Sequence, residues 1–389
     1  MMTRPWRPGA WRSVTFFLAV SAINATALAA PPPMQVHFID VGQGDATLFE
    51  FPCAAVLVDA GGELNPAFDG REALIDYLEA FFAARPHLAR TFALVALTHP
   101  HKDHTLGVTP LLRKGFRVKN AVTNGQMGGS GAEGQKALDD HASLQKIPHR
   151  KIIYPRVADV AARSDSVIDP VDCTDPQNPS TSIDPKIQIF WGRIVADPGW
   201  GNDSYGDPHH EEKNNHSLVI RVNYGDASVL LTGDLEEVAL GDLIAQYGSA
   251  KDGPLDVDVY QVGHHGSLNG TTEPLLKAMT PQVSVLSMGP VERECQWWWK
   301  FRGFKCFTAH QHGHPRERIV RWLDRHTLLY RDKPDEEPVA VGQWDFKLLE
   351  VKRCVHATGW SGTVILSMHT NGDIDIIEPG PCRKTPPPP

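Results

Sequence analysis

Immediately behind the apolar stretch TFALVALT (91–98), the chain places three histidines and an aspartate within six positions, in LTHPHKDHTLG (97–107). An apolar run of this length, bounded by turn residues, reads as a strand buried on both faces. Polar groups at the end of such a strand constrain the fold, because they need partners carried to the same place by other strands. A solvated polar loop is the plain alternative. Two further strand ends bear on it. SVLLTGD (228–234) ends in Asp234, and LDVDVYQVGHHG (255–266) ends in His264 and His265. Alone, a strand-end Asp is commonly a helix N-cap and a His pair is commonly loop. Three such ends in succession point to a shared site.

The rest of the pattern supports a layered body. VHFIDVG, ATLFEF and AAVLVDAG read as strands and REALIDYLEAFFAAR as a helix. TLGVTPLLRKG and GAEGQKALDDHASLQKI read as helices. Residues 154–185 are poor in pattern and read as a long loop. The rhythm then returns with KIQIFWG, SLVIRVNYG and SVLLTGD as strands and EEVALGDLIAQYG as a helix. After LDVDVYQVG come TTEPLLKAM, QVSVLSMG and PRERIVRWLDRH as helix, strand and helix. GTVILSMHTNGDIDIIE closes the chain as a hairpin turning at Asn371-Gly372. Two sets of strands, each with helices, predict an α/β fold of four layers, αββα.

Residues 1–30 read as a secretory signal peptide. Arg4, Arg7 and Arg12 precede an apolar stretch, and Ala27-Leu28-Ala29 resembles a cleavage site. The apolar part is too short to span a bilayer comfortably, so a secreted or periplasmic protein without integral membrane association is expected. One domain then covers 31–380, with a Trp- and Cys-containing insertion at about 290–311 and a Pro-rich tail at 381–389. The net charge of -8 argues against tight nonspecific nucleic-acid binding without excluding a local basic groove. The six cysteines suit an oxidising compartment. Cys295–Cys306 would staple the insertion and Cys354–Cys382 would tie down the C-terminal segment. Trp297, Trp298 and Trp299, with nearby Lys300, Arg302 and Lys305, suit either a stacking platform or a disulfide-pinned flap.

Neutral imidazoles and carboxylates are ligands for Zn²⁺ and similar divalent ions. Clustered pairs of them suit two ions about 3.5–4 Å apart, which can clamp an oxygen and activate water. The chain resembles the metallo-β-lactamase-fold hydrolase superfamily in its ComEC-type branch, the hydrolase domain of competence proteins. The resemblance rests on IDVGQGDATL (39–48), VLVDAG (56–61), LTHPHKDHTLG, NNHSLVIRVNYGDASVLLTGDLE (214–236), VGHHGS (262–267), SMG (287–289) and GHP (313–315). It implies that His99 and His101 bind one metal, Asp103 and His104 a second, and that Asp234 bridges them. One of His264 and His265 would complete the second site, with His265 in the usual place. Asp59 would orient the metal loop, and Asp40 and Asp45 would flank a turn at the rim of the site. Where the superfamily usually supplies a third histidine to the first metal, this chain has Lys213-Asn214-Asn215-His216-Ser217. Asn214 is the implied occupant, with Ser217 supporting it, and His216 is a rival. His314 would donate a proton or stabilise an oxyanion.

The implied activity is that of an exported two-metal hydrolase, with Zn or Mn as cofactor. Its expected substrate is a phosphodiester, either nucleic acid or a small molecule such as a phosphorylcholine ester. The competing readings are a noncatalytic binding or surface protein that keeps the fold, and a β-lactam or other ester hydrolase.

Overall fold

The computed structural model describes residues 30–126, 128–151, 170–174, 182–192, 213–291 and 309–386. Residues 1–29 of the expected signal peptide, the expected Cys295–Cys306 pairing and Trp297, Trp298 and Trp299 lie outside the described residues.

Two sheets face each other. The first runs His149–Lys151, Ala121–Thr123, Leu94–Leu97, Ala55–Val58, Thr47–Glu50, Met34–Phe38, Val364–Met368, Ile374–Glu378. The second runs Lys186–Trp191, Val219–Tyr224, Ala227–Leu231, Val259–Gln261, Val283–Leu286, Val355–Ala357. The apolar residues divide into three clusters, as four layers require. Alternation within single strands shows how. Val56 and Val58 belong to the cluster between the sheets, whereas Ala55 and Leu57 face the helices outside the first sheet. In the second sheet Val229 and Leu231 face inward, and Leu230 joins the outer cluster. Strands buried on both faces must read as continuous apolar runs, which is why the sequence showed runs rather than alternation.

The helices cover the outer faces. Gly70–Ala83 buries Leu74, Ile75, Leu78, Phe81 and Phe82 on the first sheet, and Asp69 caps it by accepting from Arg71 N–H. Glu237–Tyr247, Glu273–Met279 and Glu317–His326 cover the second. None of the helices among the described residues is long and apolar enough to cross a membrane.

Three features lay outside the sequence reading. Tyr330–Gly342 and Asp345–Arg353 form a long antiparallel hairpin. Pro334 falls where its register slips between Tyr330 and Asp335, a place where a strand tolerates proline. Cys382–Arg383, assigned from sequence to the tail, adds a short strand beside Tyr330–Arg331. The Cys354–Cys382 disulfide is present as expected, and a second disulfide joins Cys53 to Cys173.

The fold matters for the site through strand direction. Ala55–Val58 is parallel to Leu94–Leu97, and Ala227–Leu231, Val259–Gln261 and Val283–Leu286 are mutually parallel. Their C-terminal ends deliver Asp59, the His99–His104 loop, Asp234, the His264–His265 pair and Ser287 to one edge of the sandwich.

Candidate metal centre

The loop after Leu97 is held by its backbone before any side chain is considered. Asp45 N–H donates to the Asp103 carbonyl at 2.8 Å and Ala60 N–H to the His104 carbonyl at 2.9 Å. Gly61 makes this approach possible, since a Cβ there would lie 1.5 Å from the Asp103 oxygen. Asp59 holds the loop from the side. Its backbone is left-handed at φ 59°, a conformation that aspartate tolerates better than most residues. Its carboxylate accepts from Thr98 N–H at 2.8 Å and Thr98 Oγ1 at 2.7 Å, and lies 2.7 Å from His104 Nδ1. With both oxygens so committed, Asp59 fixes the His104 ring with its proton on Nδ1, leaving Nε2 to face inward.

Asp234 is the hub. Its Oδ1 lies 3.1 Å from His104 Nε2 and 3.9 Å from His265 Nε2. Its Oδ2 lies 3.6 Å from His99 Nε2 and 3.7 Å from His264 Nε2. Two sets of potential ligand atoms share this carboxylate: His99, His101 and Asp234 form one, and Asp103, His104, Asp234 and His265 the other. His265 donates from Nδ1 to the Ser287 carbonyl at 2.7 Å, which again turns Nε2 inward. The inward atoms of His99, His104 and His265, with Asp234 Oδ1, are buried and make no hydrogen bond. Buried polar atoms are almost always paired, so these four orphans call for partners. Divalent cations, one to each ligand set, suit their nitrogen and carboxylate donors.

Electrostatics agree. Burial opposes ionisation of Asp234, but the imidazoles of His104, His264 and His265 hold its pKa well below the usual carboxylate range. Burial would lower His265, yet Asp234 and Asp103 reverse this and raise it to about 9. The cluster thus concentrates negative charge that positive charge must balance.

The remaining candidates take varied places. Asp45, expected at a rim, is instead buried beneath the loop, where Gln261 Nε2 donates to it and burial raises its pKa to about 6. Asp40 accepts from Gly42 N–H at 3.0 Å and stands outside both ligand sets, bracing the turn. Asn214 Nδ2 donates to Glu236 Oε1 at 3.0 Å, while its Oδ1 is buried without a hydrogen-bond partner. His216 is buried, and its carbonyl accepts from Asn124 at 3.0 Å. His314 is buried beside the pair, its ring 5.9 Å from His264 and 6.3 Å from His265. Sequence reasoning missed Glu236, Gln261 and Asn215; Ser217, expected beside Asn214, donates its N–H to the Asn214 carbonyl at 2.8 Å and also braces Asp234. Asn215 Oδ1 accepts from Glu236 N–H at 3.1 Å and Ser217 Oγ from Asp234 N–H at 3.2 Å. The available signal was a run of short polar side chains opposite a loop whose N–H groups needed acceptors.

Comparison with known proteins adds the lineage. The profile of the metallo-beta-lactamase superfamily matches residues 39–289. ComE operon protein 3 of Bacillus subtilis is 26% identical over 310 residues, covering 76% of this chain and 31% of that protein. Recombination protein 2 of Haemophilus influenzae is 46% identical over 76 residues, 20% of this chain and 9% of that protein. The chain therefore spans less than a third of these relatives' length. Among solved structures, the metallo-beta-lactamase fold protein YhfI of Bacillus subtilis aligns at 15% identity with a TM-score of 0.32, covering 65% of this chain and 85% of that one. The matched region contains the His99–His104 loop, Asp234 and His265, and the similarity to ComE operon protein 3 and Recombination protein 2 supports the ComEC-type resemblance; by the family match the chain belongs to the metallo-beta-lactamase superfamily.

Proposed function

We propose that this protein is an exported hydrolase that holds two divalent cations across Asp234 and cleaves phosphodiesters. The observation that carries the reading is the pair of ligand sets sharing one buried carboxylate, with unpartnered atoms turned into both. His99, His101 and Asp234 would hold one cation, and Asp103, His104, Asp234 and His265 the other. Bound there, two cations supply a Lewis acid for the scissile oxygen and lower the pKa of water.

The protein's own residues do the remaining work. Asp59, Ser287 and the backbone contacts of Asp103 and His104 keep the imidazoles in one orientation, so the site is set before substrate arrives. His314, buried beside His264 and His265 with Nδ1 unpartnered, is placed to hold or deliver a proton at the leaving group. Export is supported by the leader-like residues 1–30 and by disulfides, which persist in oxidising compartments. Phosphodiesters are favoured over β-lactams because paired cations suit in-line displacement and because a curated relative carries a recombination name.

The test is a substrate panel of bis-p-nitrophenyl phosphate, single-stranded DNA, a phosphorylcholine ester and a chromogenic β-lactam, each with Mn²⁺ and Zn²⁺. Turnover of a phosphodiester that is lost in Asp103→Ala supports the proposal. Protein that takes up less than one metal per chain and turns over nothing refutes it, and turnover of the β-lactam alone moves the substrate class.

A further inference from the structure

The first ligand set is one ligand short of the second. His99, His101 and Asp234 make three ligands, against four in the second set. The position to which the family resemblance assigns a further ligand for this metal holds Asn214, not a histidine. Building on the two-cation reading, we infer that His264 supplies the missing ligand, so that the adjacent histidines of VGHHGS serve different cations.

Three observations carry this. Asp234 divides its neighbours by oxygen. Oδ1 faces His104 and His265, both of the second set, whereas Oδ2 faces His99 at 3.6 Å and His264 at 3.7 Å. His264 therefore lies on the side of the carboxylate that belongs to the incomplete set. The backbone is also shaped to part the two rings. His264 and His265 are both left-handed, at φ 50° and 53°, followed by Gly266 at φ 81°. Consecutive left-handed residues with side chains are strained and persist where function and packing demand them. In an extended strand adjacent side chains point to opposite faces; this turn keeps both histidines at the site, with their rings 6.3 Å apart.

The third observation is the support behind His264. Its Nδ1 lies 3.6 Å from Glu236 Oε1, and the same oxygen accepts from Asn214 Nδ2 at 3.0 Å. The gap is too long for a hydrogen bond and His264 Nδ1 is buried without one, so a small closure of Glu236 onto it gives the carboxylate–histidine pairing that orients a metal-binding ring. Asn214 thus acts through Glu236 as a positioning residue. Gly270 completes the fit, since a Cβ there would come within 2.4 Å of His264 Cβ. The departure at Asn214 and the doubled histidine are then two halves of one exchange.

The test uses the full chain and Zn²⁺ or Mn²⁺ alone. His264→Gly and His265→Gly remove each imidazole while tolerating the left-handed backbone. Equilibrium dialysis with elemental analysis should find two metals per wild-type chain and a loss of at least tenfold in affinity for one of them in either variant. Anomalous scattering from Zn-loaded crystals then identifies which. His264→Gly should keep the peak beside Asp103, His104 and His265, and His265→Gly the peak beside His99 and His101. Glu236→Gln should weaken the same peak as His264→Gly, by less. An unchanged first-site affinity in His264→Gly, or an ion beside His99 and His101 without His264 as ligand, overturns the inference while leaving the two-metal reading intact. Wild-type protein without bound metal overturns both.

Discussion

Substituting Gly61 by alanine perturbs the centre without touching any ligand. The added Cβ would sit 1.5 Å from the Asp103 carbonyl oxygen, 2.2 Å from its carbon and 2.8 Å from His104 N. All three atoms are backbone, so neither a rotamer change nor a flexible side chain can relieve the overlap. Contacts under 3.0 Å do not occur at real Cβ atoms, so one backbone segment must retreat by about 1.5 Å. The bonds from Asp45 N–H to Asp103 and from Ala60 N–H to His104 cannot both survive such a shift. Each buried bond left unmade costs about 1–3 kcal/mol, so losing one or both predicts a loss of about 1–6 kcal/mol. Asp103 and His104 move with the backbone, and a displacement of about 1 Å can cost on the order of 100-fold in rate. Urea unfolding of metal-free protein and metal titration of the native state measure the two effects separately. Gly241→Ala is the control: it lies in Glu237–Tyr247, where a Cβ meets nothing within 4 Å, so it should stabilise by up to ~1 kcal/mol. If Gly61→Ala keeps the wild-type midpoint and binds two metals with unchanged affinity, the close approach does not hold the loop.

Three further outcomes are expected. Asp59→Asn replaces an acceptor of the His104 Nδ1 proton with an amide and should lower metal affinity about 10–100-fold, read by competition with a chelator; no change would remove Asp59 from its orienting role. Burial holds His356 down to about 3, with Arg331 adding to the effect. The unfolded chain therefore binds the proton first, and this group costs stability increasingly as pH falls from about 6.5 toward 3. At pH 4.5 the penalty is about 3 kcal/mol, and His356→Gln should lose less stability than wild type between pH 7 and 4.5; parallel losses would exclude His356. Sequence separations of 120 and 28 residues give chain-entropy contributions of about 5 kcal/mol for Cys53–Cys173 and about 4 kcal/mol for Cys354–Cys382. Melting of C53S/C173S and C354S/C382S should therefore show losses in both, and no loss in either would discount the crosslinks.

The sequence was most legible where burial dictated composition. Strands such as Ala55–Val58 and Val283–Leu286 are covered on both faces and can be built only from apolar residues, so they announce themselves. The hairpin 330–353 was hidden because its exposed positions carry charge and its two prolines speak against a strand. At the site, His99, His101, Asp103, His104 and Asp234 were readable because histidine and aspartate at buried strand ends have few other uses. Glu236 and Gln261 were not. Each is defined by partners far along the chain, Asn214 and Asp45 respectively, and neither type is unusual where it stands. Asp45 shows the same limit in reverse, since its type was noticed but its depth depended on the loop laid over it.

Pairing of the first strand has a consequence for biosynthesis. Met34–Phe38 lies between Thr47–Glu50 and Val364–Met368, with Met34 opposite Met368. One flank is filled within a few residues, but the other stays open until the far end of the chain has been made. At ~5–20 residues per second the interval is roughly 20–70 s. Throughout it the nascent chain carries an apolar strand with an unsatisfied edge, a template for pairing with neighbouring chains. The fold therefore closes late, and a chaperone that shields this edge should raise the yield of native protein more than one acting on the second sheet.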